Sequence, residues 1–384
     1  MSSDPVSGAV RPFRIDVPES DLVDLRERLS RTRWPERETV DDWSQGIPLA
    51  YMRELCDHWA TGYDWRATEA RLNTFPQFVT EIDGLDIHFL HVRSPHPGAL
   101  PIVLTHGWPG SVVEFVKAIG PLTDPVAHGG DPADAFDVVV PSLPGYGFSA
   151  KPTDTGWTVQ RIADAWATLM GRLGYGRYSA QGGDWGAMVT ASLGSRDAAH
   201  LAGIHLNMPL AEPGRLDLTD PTPAELAALV SFDEHRKWGT GYSKEQSTRP
   251  QTVGYGLVDS PAGQAAWIVE KFWAWTDCDG HPENVLSRDE LLDNVMLYWL
   301  TAAAASSARL YWESFVRPGF DPVDVPTGCS IFPHEIMRMS RRWAASRFTD
   351  IVYWNELDRG GHFAAFEQPG LFVDELRAFF RLVR

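Results

Sequence analysis

The sequence has few cysteines and no long apolar run, and both scarcities narrow the class of protein. Its three cysteines are odd in number and widely spaced, at Cys56, Cys278 and Cys329. We therefore expect reduced thiols and a cytoplasmic location rather than a disulfide framework. No stretch approaches the roughly 18 uninterrupted apolar residues of a membrane span, and the N-terminus lacks the apolar segment of a secretory signal.

Positive charge is also scarce. Lys and Arg total 34 against 51 Asp and Glu, which gives a formal net charge of −17. An acidic surface disfavours nucleic acids and anionic membranes, so we expect neither as a partner. The 384 residues suit a large core with an inserted lobe. The sequence leaves open whether the chain forms a homo-oligomer.

Tryptophan, in contrast, is abundant. Of the 16 tryptophans, many fall between residues 238 and 312, including Trp238, Trp267, Trp273, Trp275, Trp299 and Trp312. Bulky aromatic side chains are first of all core fillers. Their density in one region also fits a wall around an apolar ligand pocket.

The pattern of apolar runs predicts an α/β fold. From about residue 81, short apolar runs alternate with helical segments, which predicts a mostly parallel sheet flanked by helices. The alternation stops at about 210 and returns at about 323. We therefore expect an N-terminal helical extension (1–80) wrapping the core, an α/β core (81–209 and 323–384) and a helical lid (210–322). No internal repeat is evident.

Local signals place several elements more closely. Leucines at helical spacing predict a first helix with Ser20 as its N-cap and Pro35 as its stop. An Asp-Gly pair within "FVTEIDGLDIHFLHVRS" predicts a hairpin. In the lid, three residues are placed as helix N-caps, namely Thr222, Ser260 and Ser287.

The stretch "GGDWG", residues 182–186, places Asp184 between a predicted strand and a predicted helix. Small residues two positions either side of a nucleophile are typical of a nucleophile elbow. An aspartate attacking saturated carbon forms an alkyl ester, and water can then attack the carbonyl of that ester. Asp184 therefore predicts displacement at an epoxide or an alkyl halide. Asp184 alone would more simply be a helix N-cap.

The second half of such a reaction needs a base, an acid to orient it and an oxyanion hole. His362 follows the last predicted strand and is the candidate base. Glu335 follows the preceding strand and is the favoured acid, with Asp350 and Asp358 as alternatives. The oxyanion donors are predicted to be the backbone N–H groups of Trp185 and of Trp108, because Pro109 has no N–H to give.

No standard metal site is expected. "TDCDGHPE", residues 276–283, contains suitable residue types, but their spacing matches no common zinc site and predicts an exposed loop. We expect no cofactor.

Taken together, "THGWPGS", "LPGYGFS", "GGDWG", "FPHE" and "RGGHFAAFEQP" resemble the α/β-hydrolase-fold epoxide hydrolases of the microsomal-type branch, over nearly the entire chain. The resemblance implies an α/β-hydrolase fold and an epoxide and water as the partners. It also implies Asp184 as nucleophile, His362 as base and Glu335 as its acid. Membrane-bound members have an N-terminal anchor that this sequence lacks, so it looks like a soluble bacterial-type relative.

The resemblance further implies two lid tyrosines that bind and protonate the epoxide oxygen. The matching positions are Tyr242 and Tyr311, with Tyr255 and Tyr298 as alternatives to Tyr242. A phenol is a neutral donor at pH 7. We expect the substrate to contact the aromatic side chains of Trp108, Trp185, Trp238 and Phe148.

Two other functions stay open. A haloalkane dehalogenase shares an aspartate elbow, often followed by tryptophan, but has no need of two lid phenols. A ligand-binding protein on the same scaffold would need no water-activating pair. The natural substrate, and a role in secondary metabolism or in detoxification, are not set by the sequence.

Overall fold

The fold is built around one large β-sheet. The computed structural model describes residues 8–315 and 319–384. In chain order the strands are β1 (Arg11–Phe13), β2 (Gln77–Ile82), β3 (Leu85–Val92), β4 (Leu100–Thr105), β5 (Phe136–Pro141), β6 (Tyr178–Gly182), β7 (Leu201–Leu206), β8 (Thr327–Ile331) and β9 (Ile351–Glu356).

The sheet is mostly parallel, as predicted. Its strand order is β1-β2-β3-β5-β4-β6-β7-β8-β9. The strands from β5 to β9 in this order pair in parallel, while β1, β2, β3 and β5 pair antiparallel. Every residue of β6 and β7 is buried, which is expected of central strands covered on both faces.

The predicted hairpin is confirmed between β2 and β3. These strands pair antiparallel, with Ile82 opposite Leu85. The two turn residues, Asp83 and Gly84, have φ values of 52° and 78°. Positive φ at both central positions is what a type I′ turn requires, and Asp-Gly is a favoured pair for it.

Helices surround the sheet in three groups. The N-terminal region contains α1 (Glu19–Ser30), α2 (Leu49–Thr61) and α3 (Trp65–Leu72), and the core begins with α4 (Val116–Thr123), α5 (Val159–Arg172) and α6 (Asp184–Arg196). The lid contains α7 (Pro223–Glu234), α8 (Gly241–Thr248), α9 (Pro250–Asp259), α10 (Pro261–Trp275), α11 (Arg288–Trp299) and α12 (Ala304–Ser314). The core ends with α13 (Arg341–Ala344), α14 (Ala364–Glu367) and α15 (Pro369–Phe380).

The N-terminal region differs from the prediction in two details. Helix α1 begins at Glu19 with Pro18 as its N-cap, so Ser20 lies inside the first turn, where its hydroxyl contacts Asp21. The ring of proline fixes its own φ at a value that is compatible with the start of a helix, so Pro18 can precede α1 without a side-chain capping bond. The region also supplies the edge strand β1, whose three residues are too few to show an alternating pattern.

The predicted caps in the lid are confirmed. Thr222 and Ser287 each form a capping box with the glutamate three residues later. The Ser260 hydroxyl accepts a hydrogen bond from the N–H of Gly263. Such caps satisfy backbone donors that the first helical turn leaves unpaired.

The lid is attached to the core through the loop that follows β4. On α11, the Asn294 amide donates to the carbonyl of Pro109 at 2.7 Å, and the Tyr298 hydroxyl donates to that of Gly110 at 2.8 Å. The Ser111 hydroxyl donates to Asn294 Oδ1 at 2.7 Å. These bonds hold the lid beside the loop expected to form an oxyanion hole. The division into extension, core and lid stays a proposal.

No helix within residues 8–315 and 319–384 combines the length and the apolar character that crossing a membrane requires.

Candidate active site

The turn between β6 and α6 holds Asp184 in a strained conformation. Its φ is 49°, in the left-handed region that costs a residue other than glycine about 1 to 3 kcal/mol. A Cβ on Gly182 would overlap the backbone of Gly186, and a Cβ on Gly186 would overlap the carbonyl of Thr105. The glycines flanking Asp184 are thus required because the backbone passes too close to other backbone atoms to leave room for a side chain. They permit the tight turn in which Asp184 lies.

The loop after β4 supplies a hydrogen bond to that carboxylate. The N–H of Trp108 donates to Asp184 Oδ1 at 2.8 Å. Gly107 leaves room for this contact, because a Cβ there would overlap the Asp184 side chain. Trp185 follows Asp184 in the first turn of α6, where backbone N–H groups have no partner within the helix. Both predicted oxyanion donors therefore lie beside Asp184.

His362 lies between Asp184 and Glu335. Its Nδ1 is 2.6 Å from Glu335 Oε1, and its Nε2 is 3.3 Å from Asp184 Oδ2. Glu335 and His362 are only 3% and 5% exposed. Their loops follow β8 and β9, so parallel neighbouring strands bring the two side chains to the same edge of the sheet.

The alternative acids lie elsewhere. Asp350 precedes β9, and its carbonyl accepts the N–H of Thr327 at the start of β8, which is the opposite end of the sheet from Glu335. Asp358 lies in the loop before His362, but its side chain is exposed. Among the three candidates, the structure brings Glu335 to the imidazole.

The charges around His362 favour its protonated form. Burial opposes a positive charge, but the carboxylates of Glu335 and Asp184 outweigh it and hold the pKa of His362 well above the usual value for histidine. The imidazolium is therefore stabilised as long as both carboxylates are ionised.

Two lid tyrosines face this group. The rings of Tyr242 and Tyr311 are 5.8 Å apart and nearly perpendicular. Tyr242 stacks on Trp108 at 4.9 Å, and Tyr311 contacts the edge of Trp185 at 4.8 Å. Within the described residues, the Tyr311 hydroxyl is buried without a hydrogen-bond partner. Burial raises the pKa of both phenols far above the usual value, so both are neutral donors at pH 7.

The other tyrosines considered from the sequence have different surroundings. Tyr298 is buried, but its hydroxyl is bonded to the carbonyl of Gly110. Tyr255 is 70% exposed. Neither has the position of Tyr242 against Trp108.

The predicted substrate-contacting residues are only partly brought together. Trp108 and Trp185 flank Asp184, as described above. Trp238 is 79% exposed and lines the outer part of a cavity of about 1010 Å³ that also borders Tyr242 and Glu335. Phe148 instead packs against Phe13 and His88, with ring centroids 5.4 and 5.5 Å away.

Two residues that hold the His362 loop in place were not singled out from the sequence. Trp275, one tryptophan among many in the lid, packs against Tyr242 and His362 at 5.2 and 5.1 Å, and its carbonyl accepts the N–H of His362. Asp277 accepts the N–H of Gly360 at 2.9 Å and so holds the histidine loop. The segment 276–283 is therefore not simply an exposed loop; Cys278 in it is buried.

In the part of the chain that the structure describes, no group of three or more His, Cys, Asp or Glu residues could hold a metal ion. The arrangement supports chemistry by an aspartate nucleophile, a histidine base and two phenolic donors.

Comparison with known proteins matches this description. The family model "Epoxide hydrolase N terminus" matches residues 10–115, and the model "alpha/beta hydrolase fold" matches residues 101–248. A protein of Stigmatella aurantiaca (strain DW4/3-1) with a provisional epoxide hydrolase name is 59% identical over 98% of this chain and 86% of its own length. Epoxide hydrolase 1 of Oryctolagus cuniculus is 36% identical over 98% of this chain and 89% of its own.

Solved structures show the same similarity. The juvenile hormone epoxide hydrolase of Bombyx mori is 32% identical with a TM-score of 0.89, covering 98% of this chain and 96% of that one. The Aspergillus niger epoxide hydrolase is 34% identical with a TM-score of 0.88, covering 100% and 98%.

The fold and the site thus define an α/β hydrolase with an aspartate at the nucleophile position. The chain belongs to the epoxide hydrolase family, and its activity is the hydrolysis of an epoxide.

Proposed function

We propose that this enzyme opens an apolar or aromatic epoxide to a vicinal diol through an ester on Asp184. The observation that carries the proposal is the position of Asp184 between two kinds of group. The buried phenols of Tyr242 and Tyr311 pack against Trp108 and Trp185, which flank Asp184. His362, paired with Glu335, contacts Oδ2 of Asp184. The first pair suits ring opening, and the second suits hydrolysis.

In the first step, the two phenols bind the epoxide oxygen while Asp184 attacks a ring carbon. Oδ1 of Asp184 is bonded to the Trp108 N–H, so Oδ2 is the attacking oxygen. A new carbon–oxygen bond forms as the epoxide carbon–oxygen bond breaks. A tyrosine proton passes to the departing oxygen, which becomes a hydroxyl group. The surrounding aromatic side chains exclude the water that would otherwise supply this proton.

In the second step, His362 takes a proton from water as the water oxygen attacks Cγ of the ester. The N–H groups of Trp108 and Trp185 stabilise the negative charge that develops on Oδ1. The ester bond then breaks and the diol leaves with the proton from His362. Asp184 regains its carboxylate, with one oxygen from water, as the second proton of that water passes through His362 to the tyrosinate that the first step left. Glu335 stabilises the imidazolium between these transfers.

Ester formation also changes the charge beside His362. Asp184 and Glu335 together raise the pKa of His362. An ester is neutral, so the contribution of Asp184 disappears once it is alkylated. The pKa of His362 then falls, because burial is opposed by Glu335 alone. The first step therefore favours the neutral imidazole that the second step needs.

The direct test offers an aromatic epoxide such as styrene oxide and, separately, a chlorinated alkane. We expect diol from the epoxide and no chloride release from the alkane. Chloride release without diol would instead support a haloalkane dehalogenase, and binding without any product would support a ligand-binding protein.

The location, origin and physiological role of the enzyme are separate parts of the proposal. A cytoplasmic location is part of the proposal, supported by three buried cysteines that form no disulfide in the described structure. A bacterial origin and a role in secondary metabolism or detoxification stay predictions. We propose no partner besides epoxide and water.

A further inference from the structure

A small cavity lies beside Asp184, on the side of His362. Its volume is about 20 Å³, and its walls include Asp184, His362, Glu114 and Gln181. A cavity needs about 10 to 15 Å³ to hold one water, together with two to four polar partners. This cavity therefore has the size and the polarity for a single water next to the atom that hydrolysis must attack.

Gln181 presents an unused acceptor in this cavity. It is only 1% exposed, and its amide nitrogen donates to Asn207 Oδ1 at 3.1 Å. Within the described residues, its Oε1 has no hydrogen-bond partner. A buried acceptor without a donor is costly, and a water hydrogen would satisfy it.

Glu114 lies at the same cavity and has no role in the mechanism above. Its carboxyl occupies the space that a Cβ on Gly110 would take, and it accepts a hydrogen bond from the backbone of Ser111. No cation of residues 8–315 and 319–384 forms an ion pair with Glu114.

Electrostatics also couple Glu114 to the site. Burial raises its pKa to about 8; the positive charge of His362 opposes this shift and the negative charge of Asp184 adds to it. Esterification of Asp184 removes a negative charge that disfavours ionised Glu114. Positive charge on His362 during hydrolysis favours it. The charges on both Asp184 and His362 therefore act on Glu114.

We propose that Glu114 is a positioning residue for the hydrolytic water. One carboxyl oxygen is held by the Ser111 N–H, and the other accepts one hydrogen of the water. The second hydrogen points to Gln181 Oε1 while His362 is protonated and turns to His362 once the imidazole is neutral, with the water oxygen facing Asp184. This inference rests on the proposed ester on Asp184. Glu114 itself gains and loses no atom in the reaction.

The first test is Glu114→Gln, followed through a single turnover of styrene oxide by rapid quench and intact-protein mass. The Ser111 N–H donates to the oxygen of the new amide, so the amide NH₂ faces the water. An NH₂ group cannot accept the hydrogen bond that the water donates to the carboxylate. We expect the rate constant for ester hydrolysis to fall about tenfold. The rate constant for ester formation should change less than about threefold, so the ester accumulates. Glu375→Gln is the matched control, because Glu375 is a buried glutamate whose carboxylate is bonded to Ser330, Tyr353 and Asn355, away from the cavity.

The second test displaces the same carboxyl without changing it. Gly110→Ala places a Cβ where the Glu114 carboxyl lies, and the flexible end of Glu114 must move. We expect the same selective loss of hydrolysis. Gly171→Ala on α5 is the control, since a Cβ there meets nothing within 4 Å.

The outcomes separate this inference from the proposed function. Selective slowing of ester hydrolysis in both folded variants supports the inference. Wild-type hydrolysis in a folded variant, or equal slowing of both steps, overturns it while the ester mechanism stands. If the unmodified enzyme forms diol without any ester, the proposed function fails first and this inference fails with it.

Discussion

Replacing Glu335 by glutamine tests the part of the site that stabilises positive charge on His362. Glu335 Oε1 lies 2.6 Å from His362 Nδ1, and both side chains are buried. At a charge separation of about 4 Å and an effective dielectric constant of about 20, the attraction amounts to about 4 kcal/mol. The introduced amide keeps a neutral hydrogen bond worth about 1 kcal/mol. The net loss of about 3 kcal/mol corresponds to a rate about 100-fold lower.

This loss should fall on one step. Hydrolysis places a proton on His362, whereas attack by Asp184 on the epoxide does not. In single-turnover measurements, we expect Glu335→Gln to slow ester decay about 100-fold and ester formation less than about threefold. Asp358→Asn is the matched control, because Asp358 is exposed in the same loop as His362. If Asp358→Asn or Asp350→Asn slows ester decay more than Glu335→Gln does, the acid is wrongly assigned.

The remaining predictions concern the other members of the site. Asp184→Asn should form no ester, because a neutral amide is a poor nucleophile; full activity with the amide verified by mass would exclude the covalent role. His362→Gln should accumulate a protein heavier by the mass of the substrate and slow ester hydrolysis about 100-fold or more, and wild-type steady-state turnover would show that His362 is not the base. In unmodified enzyme, ester hydrolysis should rise with pH through a pKa lower than that of His362 in the resting enzyme; an equal or higher value, from NMR titration and rapid-quench rates, would contradict the proposed loss of charge at Asp184. Tyr242→Phe and Tyr311→Phe should each slow ester formation, and the double variant should slow it further but not additively, because both phenols bind one oxygen; a double variant that alkylates at the wild-type rate would make them packing residues.

Chain order and local chemistry predict much of this molecule. The elbow at Asp184 follows from glycines at fixed offsets between an apolar strand and a helix. Placing Glu335 and His362 after successive strands was enough to expect them at one edge of a parallel sheet. The lid caps at Thr222 and Ser287 are local signals, which is why they could be read without the fold.

Features that depend on packing could not be predicted in this way. Trp275 contacts His362 only because α10 ends beside the histidine loop. The sequence does not distinguish Trp275 from the other lid tryptophans. Phe148 lies in a motif close to the site, yet its ring packs beneath β1, a strand of three residues without a pattern of its own. Glu114 becomes noticeable only when the cavity beside Asp184 is seen.

The central claim is that Asp184, not water, forms the first bond to the substrate. The most direct measurement is a single turnover with enzyme in excess, in water enriched in ¹⁸O, followed by mass analysis of the diol and of the peptide containing residue 184. The account predicts an unlabelled diol from this first turnover and one ¹⁸O atom in the carboxyl group of Asp184. Label in the first diol, with none in that peptide, would mean that water attacks the epoxide directly and would contradict the account.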